Sequence, residues 1–140
     1  MNGNRPVKKI IAAVCVCVIS GLASSAPAAD NPLKEEMRRL DAAFKNLVGD
    51  VALGNLSAVE GHFHELHALK EKTHAALEKG EIKLPKNGGK IKLFEQYDAS
   101  FHKKLEQLIK ASKKDNIKAV RRLTHRLLDA CIRCHGVFRQ

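Results

Sequence analysis

Cys131-Ile132-Arg133-Cys134-His135, close to the C-terminus, is the most chemically specific run in the chain. Two thiols three residues apart followed at once by an imidazole form the attachment pattern for c-type haem. The two sulfurs would form thioether tethers to the porphyrin vinyl groups, and His135 would be the proximal iron ligand. Three other chemistries use similar residues. A Cys131–Cys134 disulfide would close a very small loop inside a helix, where the geometry is poor and little chain entropy is saved. A zinc site would need a fourth ligand beside these three residues. A thiol–disulfide oxidoreductase sets its cysteines at a helix N-terminus, where the dipole favours the thiolate. Here the pair falls in the last turns of a helix, at the negative end of the dipole.

The compartment suits the haem pattern. Arg5, Lys8 and Lys9 precede an unbroken apolar run from Ile10 to Ile19, and Ala26-Pro27-Ala28 carries small residues at the −3 and −1 positions. This arrangement predicts a secretory signal peptide, residues 1–28, cleaved before Ala29. The apolar stretch is short for a membrane span, so no stable membrane insertion is expected. Cys15 and Cys17 leave with the leader. Three of the 25 basic residues leave too, so residues 29–140 keep 22 basic and 15 acidic residues, a formal charge of +7. Export to the periplasm disfavours nucleic acid as a partner, and a basic surface suits acidic redox proteins.

The elements that must position these groups read as four helices. Asn31 and Pro32 open the first, with Glu35 and Glu36 favouring its positive end. Its expected seam is Leu33, Met37, Leu40, Phe44, Leu47 and Val51, and Gly54 ends it. Ser57-Ala58-Val59-Glu60 reads as a capping box opening a second helix with Val59, Phe63, Leu66, Thr73 and Leu77 inward, stopped by Gly80. Residues 81–90 form the one long loop. Leu93, Phe94, Tyr97, Phe101, Leu105, Leu108 and Ile109 mark the third helix. Ile117, Val120, Thr124, Leu127, Cys131, Cys134 and Phe138 mark the fourth. No segment alternates with the period of a strand. The expectation is an all-α, antiparallel up-down-up-down four-helix bundle with haem between helices at one end. Six aromatic residues, five Phe and one Tyr, leave room in such a core for a planar guest.

That topology names the group opposite His135. Met37 lies about 8 Å from the start of helix one, and His135 a similar distance from the end of helix four. The two ends coincide in an antiparallel pair, so Met37 and His135 share a level. Met37 is the one methionine left after processing. His74, at about the right level but a step off its seam, is the rival ligand. His64 and His67 have Glu60 and Glu71 four residues away and read as a solvated face with His62. Arg139 and Arg38 are candidates for pairing with haem propionates, and Arg133 and Arg39 lie near the same end.

At this point the chain resembles a known family. Cys131-Ile-Arg-Cys134-His135-Gly-Val-Phe138-Arg139 ending a four-helix bundle is similar to the class II c-type cytochromes, the cytochrome c′ family. Glu36-Met37-Arg38-Arg39-Leu40-Asp41-Ala42-Ala43-Phe44-Lys45 resembles the opening helix of the low-spin, methionine-ligated members. It is also similar to that of the periplasmic b-type four-helix cytochrome. The resemblance implies one covalent haem c per chain, a His135/Met37 axial pair, and a non-enzymatic electron carrier working with redox proteins as a monomer or homodimer. The alternative is a five-coordinate, high-spin cytochrome c′ that binds nitric oxide or carbon monoxide.

Overall fold

The computed structural model describes residues 31–139. The expected leader, residues 1–28, lies outside them. Asn31 starts the first helix, α1 (Pro32–Leu53): its Oδ1 accepts hydrogen bonds from the backbone N–H groups of Leu33 at 3.1 Å and Lys34 at 3.3 Å. Gly54 terminates α1 in the left-handed region at φ 74°, a conformation that costs glycine little because it lacks Cβ.

The expected second helix is built differently. Leu56–Ala58 is a 3-10 turn, and Ser57 Oγ donates to Asn55 Oδ1 instead of capping. Glu60 reaches away to Lys113 at 2.7 Å, so no capping box forms. The helix then breaks at His64-Glu65 into α2 (Val59–Phe63) and α3 (Leu66–Glu78). Gly80, at φ 69°, follows α3 as expected. The loop leads into α4 (Ile91–Ser112), and Asn116 Oδ1 accepts from Ala119 N to open α5 (Ile117–Phe138). Among the described residues there is no strand, and no helix is long and apolar enough to cross a membrane.

Two apolar clusters hold these helices together. The larger includes Leu47, Val59, Leu108, Val120 and Leu127, all fully buried, each contributing about 1.5–3 kcal/mol by leaving water. The smaller gathers Leu33 from the start of α1, Leu77 from the end of α3, and Leu84 from the loop. Phe94 from the start of α4 and Phe138 from the end of α5 complete it. The Phe94 and Phe138 rings meet edge to face with centroids 5.6 Å apart. Met37 and Cys134 pack on the margin of this cluster.

The buried faces differ from the expected seams in one consistent way. Glu36 and Ala43 are buried on α1, whereas Met37, Leu40, Phe44 and Val51 are only half-buried. On α4, Asp98 and His102 are buried between Phe94 and Leu105, and Tyr97 and Phe101 are half-buried. α1 and α4 therefore turn polar residues into the bundle and leave Met37, Leu40, Phe44 and Phe101 at the edge of a cavity.

Candidate functional site

A cavity of about 830 Å³ opens between α1 and the last turns of α5. Its chemistry-bearing wall is made of Met37 from α1 and Cys131, Cys134 and His135 from α5. Phe44, Phe63, Phe94 and Phe101 supply apolar surface, and Lys34, Lys83, Arg38 and Arg139 supply positive charge. Cys131 and Cys134 are one helical turn apart on a shared face. Both are half-buried free thiols.

The local electrostatics set the protonation of these groups. Burial pushes the Cys131 thiol above its ordinary value, opposed by a backbone hydrogen bond. Burial, then the Asp98 charge and Cys131, push Cys134 up to about 11. Thiols held protonated in this way contrast with the depressed pKa of a dithiol redox pair. Burial and then the nearby Arg139 charge lower His135, so its imidazole is neutral near pH 7, the form that ligates a metal.

The remaining candidates sort themselves by geometry. Arg38 and Arg139 both line the cavity, but Arg38 is already held in a fork by Glu35, with Nε to Oε2 at 2.9 Å and a second nitrogen to Oε1 at 2.7 Å. Arg39 shares Glu35 and approaches Glu65, and Arg133 lines a separate groove with Lys104. His74 points elsewhere: its Nε2 lies 2.9 Å from Asp98 Oδ2. His62 pairs with Asp50, while His64 and His67 are exposed.

Two features of the site escape sequence reasoning. The 81–90 loop folds across the end of α5, with Lys86 N donating to Phe138 O at 3.1 Å and Asn87 Nδ2 to Val137 O at 2.7 Å. It thereby brings Lys83 and Pro85 into the cavity wall. Its Asn87-Gly88-Gly89 signals a turn but not where the turn docks. The second feature is His102, mid-helix on α4, whose Nε2 lies 3.7 Å from Glu36, the residue next to Met37. Burial disfavours its charge, but Asp98 and then Glu36 outweigh that and raise its pKa to about 9. No family model, no curated protein and no solved structure matches the chain.

Proposed function

We propose that the chain is a periplasmic monohaem c-type cytochrome that carries single electrons. Cys131 and Cys134 tether the haem, and His135 and Met37 are its axial ligands. The observation that carries this reading is that one cavity is lined by both thiols, the imidazole and the thioether. Residues so far apart in sequence as Met37 and Cys131–His135 have no reason from helix periodicity alone to share a wall. The volume falls within the range of about 300–1,000 Å³ usual for cofactor sites. The two free thiols, the neutral imidazole and the aromatic lining fit the group.

In this reading the helices run up-down-up-down, which accounts for the start of α1, the end of α3, the start of α4 and the end of α5 sharing one apolar cluster. A bound haem would supply a one-electron iron couple, whose potential a methionine ligand raises. The chain would do the rest. Cys131 and Cys134 would hold the group on α5, and the phenylalanines would limit water around it. Lys34, Lys83 and Arg139 neutralise the acidic edge, together with Arg38, which would exchange part of its Glu35 fork. The same basic rim suits an acidic redox partner.

The test is extraction of the protein with acidified organic solvent. The unmutated protein should keep its haem, whereas Cys131→Ala with Cys134→Ala should release it. Loss of haem from the unmutated protein would refute covalent attachment.

A further inference from the structure

We propose that Glu36, Asp98 and His102 form a second metal site in the bundle interior, a divalent-cation site of the zinc type, separate from the Cys131–His135 motif. Glu36 is 1 % exposed, His102 8 % and Asp98 9 %. They stand on two helices at positions where the core pattern calls for apolar residues. Two carboxylates in a core carry a large desolvation cost, and that cost is met only when the charges are well partnered.

Their partners within the protein are incomplete. Glu36 Oε1 and His102 Nε2 are both fully buried and have no hydrogen-bond partner among the described residues. His102 Nε2 lies 3.7 Å from Glu36 Oε1 and 3.4 Å from Asp98 Oδ1. Charge-assisted N–H···O bonds are shorter, about 2.7–2.9 Å. The 3.4 Å separation matches something else, and the 3.7 Å one is slightly longer: ligand atoms around a tetrahedral ion with bonds of about 2.0–2.1 Å lie about 3.3–3.4 Å apart. One atom from each residue lies within 4.8 Å of the other two, so the three face a common point.

The supporting residues have the form of a metal site. Asp98 and His102 are four apart on α4, the spacing that turns two ligands to one helix face. Glu36 closes the set from α1. His74 Nε2 sits 2.9 Å from Asp98 Oδ2, so His74 orients that carboxylate while Oδ1 is left to face His102 and Glu36. A divalent ion would offset the charge of both carboxylates. The donor set of one imidazole and two carboxylates suits zinc among the abundant cations.

The experiment uses the untagged mature protein with whatever haem it carries, stripped of loose metal by chelator, then dialysed against micromolar zinc chloride. Bound zinc and thermal midpoint are read together. One zinc per chain and a raised midpoint are expected, both reversed by chelator. Glu36→Gln and His102→Gln should each abolish binding while leaving the helical circular dichroism and the haem content unchanged. His74→Ala should weaken it by about 10–100-fold, the range for loss of an orienting partner. The exposed pair His64→Ala/His67→Ala should change nothing. Absence of zinc from the unmutated protein would overturn the proposal without any variant having to fold. So would zinc that persists in Glu36→Gln and His102→Gln, or that disappears in the His64/His67 variant. Haem retention is scored separately, so failure of this site and failure of the cytochrome reading are distinguishable.

Discussion

Met37→Ala separates a ligand from a core residue. Met37 is half-buried at the margin of the smaller apolar cluster, and its side chain lines the cavity that Cys131, Cys134 and His135 share. Truncating a fully buried methionine costs about 2–5 kcal/mol, so a half-buried one should cost about 1–2 kcal/mol from packing alone. That loss occurs whether or not the sulfur binds iron, and stability therefore cannot decide the matter. The ligand reading makes an additional demand. With the thioether gone and His135 and both cysteines intact, haem stays attached, the ferrous spectrum becomes high-spin, and carbon monoxide binds where the parent shows little. The reduction potential should fall, because each tenfold preference of the soft sulfur for ferrous iron is worth about 59 mV. A drop of at least one such decade is expected by redox titration. An unchanged low-spin ferrous spectrum in Met37→Ala would refute the assignment.

Two further outcomes test the scaffold. Gly54→Ala places a Cβ at φ 74°, so although nothing crowds the position it should destabilise the fold by about 1 kcal/mol or slightly more, read as a lower denaturant midpoint. The Asp50–His62 pair ties α1 to α2; the His62 hydrogen bond, opposed by partial burial and helped by Asn55, holds the Asp50 carboxyl below its ordinary value of 3.8. Its stabilisation is therefore present above that ordinary value and lost as pH falls through the lowered one. The midpoint difference between the parent and Asp50→Asn should be full at neutral pH and vanish in strong acid; a difference that persists there would assign the effect to packing.

The helix ends were legible because capping chemistry is local. Asn31-Pro32, Gly54 and Gly80 all stand where the chain starts or stops a helix. That Met37 lines one cavity with Cys131, Cys134 and His135 was legible from residue type and level along the helices. What stayed hidden depends on tertiary partners. A periodicity reading gives buried positions to apolar residues, so it passes over Glu36, Asp98 and His102, which are buried facing one another. The His74–Asp98 bond spans 24 residues, and no local pattern encodes it. Glu60 was read as a cap, but a lysine on another segment holds it. The break at His64-Glu65 carries neither proline nor glycine, and α2 and α3 on either side of it each pack against α1.

The absorption spectrum of the dithionite-reduced protein, recorded before and after carbon monoxide, tests the central claim most directly. A six-coordinate His135/Met37 haem predicts a sharp low-spin α-band that carbon monoxide leaves essentially unchanged. A broad high-spin spectrum that shifts with carbon monoxide would contradict the electron-carrier reading in favour of a gas-binding one, and a spectrum without haem absorption would contradict both.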